Sequence, residues 1–345
     1  MGMAVMELID KSPTSGIKQP IQVVSFGNHQ GEFIQGGVKI KESGSDQTSE
    51  NVGKEGPEEW YTAEKVVITS DILENLDVYK LNATTLNVGD LPIHHVVTGF
   101  LLQHITSNSG DNKDISKAEQ THSDLIPGVY EGGAKIWECT EDLLKYLAKN
   151  FKPQSWRGKR VLDLGCGAGL LGIYAYRCGA IVHFQDYNKD VLTQITIPNV
   201  LLNVVDVKPA KDDSNSEDAT ESKVHQVYTD DLGKNLEFYS GDWSKYSELT
   251  SESVECKSDK FDYILASETI YNPKNQQKLL DTFYVKLKPD GVVLVAAKTY
   301  YFGVGGGLRQ FETLIANDKR FQSNVVWTST DGVGREILEL KLSEQ

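Results

Sequence analysis

The sequence predicts an α/β domain: a central, mostly parallel sheet with helices on both faces, closed by an antiparallel hairpin. Three observations predict it. Short apolar runs that suit buried parallel strands alternate with segments of helical spacing between residues 160 and 317. The first of these runs passes through a glycine-rich turn directly into a helix. The last two β-rich runs, 325–330 and 336–342, face each other across an Asp-Gly turn, as a closing antiparallel pair does.

The opening unit carries the most information. Residues 160–164 are an apolar run with Asp163 inside it, followed by Gly165-Cys-Gly-Ala-Gly169 and the helical pattern 170–177. Glycines at 165, 167 and 169 let the backbone turn sharply and let a ligand lie against bare main chain. Three glycines in one strand–turn–helix also occur in α/β domains that bind nothing there, and spacing alone leaves that open. Two details narrow it. An acid stands inside the strand, where pyrophosphate-binding loops carry a hydrophobic residue. There is no Gly-Lys-Ser/Thr ending, which excludes a P-loop NTPase. The pattern Asp-x-Gly-x-Gly-x-Gly resembles the S-adenosylmethionine loop of seven-strand methyltransferases.

Upstream, residues 1–122 are poorly patterned and read as an N-terminal extension to a domain at 123–345. Residues 41–59 are Ser, Gly, Asp and Glu with almost no apolar side chains, the composition of a disordered linker. Apolar pieces between 61 and 103 suit either a small strand-containing lobe or a regulatory tail, and 107–123 turns polar again. Order returns at 124. Residues 141–148 form an amphipathic helix with Leu143, Leu144 and Leu147 on one side and Thr140 as N-cap. Trp137 and Glu138, just ahead of it, suit either a flap over a ligand or a core-anchoring indole beside a solvated acid.

Downstream, 181–184 is a second buried strand with Asp186 at its carboxyl end, about 20 residues beyond the glycine loop. An acid there accepts the ribose hydroxyls of an adenosyl ligand; elsewhere such a residue is a turn former. A helix over 190–203, interrupted by Pro198, is followed by an acidic low-complexity insertion, 206–233, that reads as a solvated loop. The third strand, 236–240, ends in Gly241-Asp-Trp243. An acid and an aromatic there suit adenine by hydrogen bond and stacking, or a turn with a packed indole. The fourth strand, 260–266, runs into Ser267-Glu-Thr-Ile-Tyr-Asn272. Ligands in open α/β sheets sit beyond the strand carboxyl ends at the switch in strand order, which the first and fourth strands flank. Ser267 and Glu268 therefore stand where chemistry is expected. A helix at 274–287, a fifth strand at 291–297, a glycine- and aromatic-rich loop at 298–309 able to line a substrate groove, and a helix at 311–317 complete the layout. A dinucleotide dehydrogenase would continue as βαβ where this chain closes with a hairpin.

Composition sets the outer limits. A chain of 345 residues holds one large domain, or one domain with a substantial extension. The formal net charge of −14 argues against direct contact with a nucleic-acid backbone and favours a basic protein partner. Cys139, Cys166, Cys178 and Cys256 show no C-x-x-C spacing, and the seven histidines form no ligand pair at helical spacing. No zinc site is expected, and the thiols are expected reduced. Neither a signal peptide nor anything close to the ~20 apolar residues of a membrane helix is read in the sequence.

Several strings go beyond general methyltransferase motifs. Leu125-Ile-Pro-Gly-Val-Tyr-Glu-Gly-Gly133, Ile136-Trp-Glu-Cys-Thr140, Asp163-Leu-Gly-Cys-Gly-Ala-Gly-Leu-Leu-Gly172, Phe184-Gln-Asp-Tyr-Asn188, Ser267-Glu-Thr-Ile-Tyr-Asn272 and Ala297-Lys-Thr-Tyr-Tyr-Phe-Gly-Val-Gly-Gly306 closely resemble the histidine protein methyltransferase 1 family. The likeness runs over residues 124–342. It implies the Rossmann-like seven-stranded sheet of class I methyltransferases and S-adenosylmethionine as cofactor. It also implies methylation of one histidine, at the tau nitrogen, in large-subunit ribosomal protein L-three, and residence in the cytoplasm, nucleus or nucleolus. A monomer acting on a basic protein substrate is expected. By the same resemblance Ile136, Trp137, Glu138, Cys139 and Thr140 touch the cofactor from the leading segment, and Gly165 from the glycine loop, where the motif itself adds Asp163 and Gly167. Gln185, Asp186 and Tyr187 lie on the ribose side, Gly241, Asp242 and Trp243 at the adenine, and Ser267 near the methionine part. Ala134, where the family leads one to expect leucine, and the acidic insertion depart from the pattern and bear only on loop contacts.

Methyl transfer from a sulfonium to imidazole is an in-line displacement, and a neutral imidazole nitrogen already carries a lone pair. No strong base is needed. A carboxylate accepting from the other ring nitrogen would hold the tautomer and steady the charge that forms, and Glu268 is the candidate by its place at the fourth strand end. Positioning and exclusion of water would supply the rest. A lysine or arginine protein methyltransferase would share the cofactor site and differ in the groove. A non-catalytic ribosome-assembly factor would keep the site for structure alone.

Overall fold

The computed structural model describes residues 60–97, 99–100, 113–121, 123–204, 234–251 and 260–344. The linker expected at 41–59 and the acidic insertion expected at 206–233 lie outside them. Ten strands are described: β1 (Glu64–Val66), β2 (Ala83–Val88), β3 (Leu91–Val96), β4 (Arg160–Leu164), β5 (Ile181–Asp186), β6 (Leu236–Ser240), β7 (Phe261–Ser267), β8 (Leu287–Lys298), β9 (Phe321–Thr328) and β10 (Arg335–Leu342). Eight of them make one sheet in the order β1-β6-β5-β4-β7-β8-β10-β9, and β2 and β3 pair as a separate hairpin. The sheet is parallel from β6 through β8, and β10 runs antiparallel to both β8 and β9.

Burial on both faces is what makes these strands continuous apolar runs. Val161 belongs to the core on one face, while Leu162 and Leu164 belong to the core on the other. The first face is covered by the helices Glu138–Asn150, Leu170–Arg177 and Ile197–Asn203, the second by Trp243–Ser251, Pro273–Lys286 and Leu308–Asp318. The strand order reverses between β4 and β7, so a crevice opens at the carboxyl ends of those two strands.

Four features differ from the sequence reading. Seven strands were expected in the sheet and there are eight, because Glu64–Val66 pairs antiparallel with the outer edge of β6. That strand covers an otherwise open row of backbone donors and acceptors. Second, the helix expected to start after Thr140 begins at Glu138, with Trp137 as an N-cap that offers no side-chain bond. Thr140 is therefore inside the first turn. Third, the helix expected over 190–203 is broken into Lys189–Val191, a π-helical turn Leu192–Thr196, and Ile197–Asn203. Pro198 follows closely on the π-helical turn, and Thr196 and Ile197 stay right-handed, so the missing N–H falls where the helical ladder has already been widened. Fourth, the core runs across the composition break at residue 122. Val66, Ile72, Tyr79, Ile93, Val96 and Ile115 are buried in the same cluster as Leu143 and Leu147.

The β2–β3 hairpin is fastened by two buried asparagines. Asn203 Oδ1 accepts from His94 N at 2.8 Å and its Nδ2 donates to His94 O at 2.6 Å. Asn199 Oδ1 accepts from Val96 N at 2.9 Å, and its Nδ2 donates to Ala168 O in the glycine loop at 3.0 Å. Backbone groups at the free edge of β3 thus find partners on a helix instead of another strand.

Candidate active site

The crevice at the switch point holds a cavity of about 420 Å³. Its floor is the glycine loop. Gly165, Gly167 and Gly169 have φ of +66°, +49° and +76°, a conformation that costs a side-chain-bearing residue and not glycine. Internal packing also demands glycine here: a Cβ on Gly165 would meet the Thr269 methyl at 2.8 Å, and one on Gly167 would meet Gly133 O at 3.0 Å. The glycine doublet 132–133 therefore lies directly against the loop.

Asp163 is the acid inside β4, 1% exposed and facing the first turn of the following helix. Its Oδ2 accepts from Gly172 N at 2.8 Å, which satisfies one of the donors a helix start leaves free. Burial pushes its carboxyl up to about 8, against the pull of the Gly172 N–H, with the charge of Asp186 adding to the rise. Asp186, at the end of β5, accepts from Gly167 N at 2.9 Å and Asn188 N at 3.1 Å. Burial raises it to about 6, less far because those two N–H bonds favour the ionised form. Both acids line the cavity.

At the end of β6, Asp242 is shared between two tasks. Oδ1 accepts from Ser244 N at 2.9 Å at the start of the helix Trp243–Ser251, and Oδ2 meets Lys278 Nζ at 2.6 Å. Trp243 and Tyr187 stand beside it on the cavity wall. At the end of β7, Ser267 Oγ accepts from Thr140 Oγ1 at 3.1 Å, so the hydroxyl read as a helix cap instead links the leading segment to β7.

Glu268 follows directly. Its backbone has φ of +58°, one of two described non-glycine residues in the left-handed region. The side chain is buried, and Oε1 has no hydrogen-bond partner. Lys298 Nζ lies 3.9 Å from Oε1 and 3.0 Å from Glu138 Oε2. Cys139 and Tyr301 close around the same carboxylate; burial first, then the charge of Glu268, pushes both groups far above their ordinary range. Three residues lining this cavity carry buried polar atoms without hydrogen-bond partners, Glu268 Oε1, Thr269 Oγ1 and Asn275 Oδ1, and of these Glu268 alone is a carboxylate.

Residues 137–330 match the family model described as a methyltransferase domain. The chain is 43% identical over 230 residues to the histidine protein methyltransferase 1 homolog of Mus musculus, covering 66% of this chain and 61% of that protein. It is 34% identical over 245 residues to histidine protein methyltransferase 1 of Schizosaccharomyces pombe, covering 67% of this chain and 71% of that protein. The chain belongs to the histidine protein methyltransferase 1 family. Its fold is the α/β fold of class I methyltransferases, with helices on both faces of the sheet. The chain spans 61% and 59% of the length of the mouse and Bos taurus relatives.

Of the residues singled out from sequence in this family member, Ile136, Trp137, Thr140, Asp163, Gly165, Gly167, Asp186, Tyr187, Asp242, Trp243, Ser267 and Glu268 line the one cavity. Four are not among its lining residues. Glu138 turns outward to Lys298, and Cys139 is buried against Glu268. Gln185 bridges two loops, accepting from Gly165 N at 3.4 Å and donating to Gly241 O at 2.7 Å. Gly241, at φ +106°, lies so close to Thr62 O and Ala63 Cα that any Cβ would collide with them. Trp60, Glu131 and Tyr271, outside that set, also line the cavity. Tyr271 donates to the carboxylate of Glu131, joining the 131–133 turn to the segment after β7. The Glu-Gly-Gly string was a visible signal; nothing local marked Trp60.

Proposed function

We propose that this chain is an S-adenosylmethionine-dependent protein-histidine N-methyltransferase. One observation carries the reading: Glu268, buried and held in a left-handed backbone, lines the switch-point cavity with a carboxylate whose Oε1 has no hydrogen-bond donor. The residues present fit the cofactor. A carboxylate closes β5, an acid and two aromatics gather at β6, and hydroxyls of Ser267 and Thr140 meet at β7. The volume falls within the roughly 300–1,000 Å³ of small-molecule sites. When bound, S-adenosylmethionine supplies an electrophilic methyl group on sulfur.

The chain's own residues then do the following. Glu268 would accept the N–H of one acceptor ring nitrogen, leaving the lone pair of the other free to form the new N–C bond as the bond from methyl to sulfur breaks and S-adenosylhomocysteine leaves. As the ring gains positive charge the same carboxylate steadies it, and the ring proton passes to solvent after transfer. Lys298, bound to Glu138, anchors the loop that carries Tyr300 and Tyr301. Phe302, Val304 and Val333 complete an apolar rim at the mouth that excludes water once a protein segment covers it.

The relatives named as histidine protein methyltransferases support the acceptor class. The sequence resemblance extends the reading to large-subunit ribosomal protein L-three, in the cytoplasm and nucleus. The test is transfer of label from S-adenosylmethionine to a ribosomal protein fraction, with the modified residue identified by mass spectrometry. A methylhistidine on one large-subunit protein is expected. A methyllysine would keep the cofactor and discard the acceptor, and cofactor binding with no transfer to any protein would point to an assembly factor.

A further inference from the structure

A short strap from the N-terminal side, outside the span of the methyltransferase family model, reaches the cavity. Trp60 lines it, in company with Tyr187, Asp242 and Trp243. The indole sits edge-on to Tyr187, with ring centroids 6.2 Å apart. Lys278 Nζ lies 3.6 Å from the Trp60 ring centroid and is fixed there by its 2.6 Å pair with Asp242. A partly desolvated ammonium over an indole is an attractive contact, and here it also sets the height of the ring.

The strap that carries Trp60 is tied down at Tyr61 and again at residues 64–66. Tyr61 stacks on Tyr187 at 4.8 Å, and Tyr61 O accepts from Asp242 N at 3.0 Å. Thr62 O occupies the space that a side chain on Gly241 would fill. Glu64, Lys65 and Val66 then pair with Ser240, Tyr239 and Phe238. The space that a side chain on Gly241 would take is thus filled by backbone of the strap.

We propose that the strap 60–66 completes the adenine end of the cofactor pocket, with Trp60 as an aromatic wall for the base. This rests on the cofactor reading above. The consequence is that cofactor affinity depends on residues well upstream of the glycine loop. The test is calorimetric titration of the full chain with S-adenosylhomocysteine, beside thermal melting of the free protein. Trp60→Ala should weaken binding at least about fivefold, the lower end of what base–aromatic stacking contributes, while Trp60→Phe stays near the wild type. As a measurement free of any substitution, hydrogen exchange on the unaltered chain should show amides 61–66 slowed when S-adenosylhomocysteine is added. Equal affinity in Trp60→Ala, or no ligand-dependent protection of 61–66 in a wild type that binds, overturns the strap's role and leaves the cofactor reading standing. A wild type that does not bind S-adenosylhomocysteine overturns the cofactor reading, and the strap's role with it.

Discussion

At the scale of single residues, two acids are held against their ordinary preferences. Glu268 occupies a backbone region that costs a non-glycine residue about 1–3 kcal/mol, a strain that persists where the surrounding structure holds the residue in place. Glu268→Gln keeps the length and shape of the side chain, but it cannot carry the charge that steadies a positive ring. We expect kcat to fall by about 10²-fold or more with S-adenosylhomocysteine affinity unchanged. Full activity in that variant would remove Glu268 from the mechanism. Asp163 is the second. Burial raises its carboxyl from 3.8 to about 8, so across that window the folded chain holds a proton that the unfolded chain has released. Stability from this group is therefore complete below pH 3.8 and is lost as pH rises through about 8. His183 acts in the opposite sense: burial lowers it from 6.5 to about 4, so its contribution is present above 6.5 and lost as pH falls through about 4. Between pH 6.5 and 8 the Asp163 slope stands without that opposition. Melting of the ligand-free wild type should drop across this interval, and Asp163→Asn, which keeps an oxygen for Gly172 N–H, should flatten the drop.

At the scale of elements, stability hangs on joints as much as on strands. Asn199 satisfies a donor of β3 and an acceptor of the glycine loop at once, both buried. Asn199→Ala leaves both without partners, at roughly 1–3 kcal/mol for each unsatisfied group. An unfolding free energy from urea titration lowered by about 2 kcal/mol or more is expected, and a value equal to wild type would show that water replaces the side chain. The same joints explain what the sequence could and could not reveal. β4 to β8 were legible because each is buried on both faces and reads as an apolar run. β1 was not, since Glu-Lys-Val has no pattern of its own and is a strand only because β6 offers an edge. The hairpin had a signal that went unread: Gly89-Asp90, with Gly89 at φ +59°, is the two-residue turn between β2 and β3. Thr140 looked like a cap because its hydroxyl stands where a helix could start; only the distant Ser267 shows what that hydroxyl bonds. The cavity acids and the loop glycines were readable from order along the chain. Trp60 was not, because it reaches the site by tertiary packing alone.

At the scale of the whole molecule, the mouth of the cavity is apolar and the chain's overall charge is acidic, and the two should act at different stages of substrate capture. Phe302 is 79% exposed and Tyr300 49% exposed, with their rings 5.0 Å apart. They are not on a loose loop: Thr299 N donates to Gly334 O at 2.8 Å, and Gly306 packs so tightly on Ile270 O and Tyr271 O that no side chain fits there. Rigid exposed aromatics beside a site are suited to anchoring a partner at little entropic cost. Replacing Tyr300 and Phe302 together by serine should raise KM for the protein acceptor several-fold with no change in S-adenosylhomocysteine affinity. Charge works from further away. A net charge of −14 sets up a field that draws a basic partner in before any contact forms, and salt screens that field over about 10 Å at 0.1 M. Contacts inside the cavity are shielded from salt by the protein around them. Raising ionic strength from about 0.05 to about 0.5 M should therefore raise KM for a basic acceptor protein several-fold while the affinity for S-adenosylhomocysteine stays level. A short neutral peptide bearing the same histidine should show no such dependence. If KM for the intact acceptor were flat across that range, the acidic surface would have no part in capture, and recognition would rest on the aromatic rim alone.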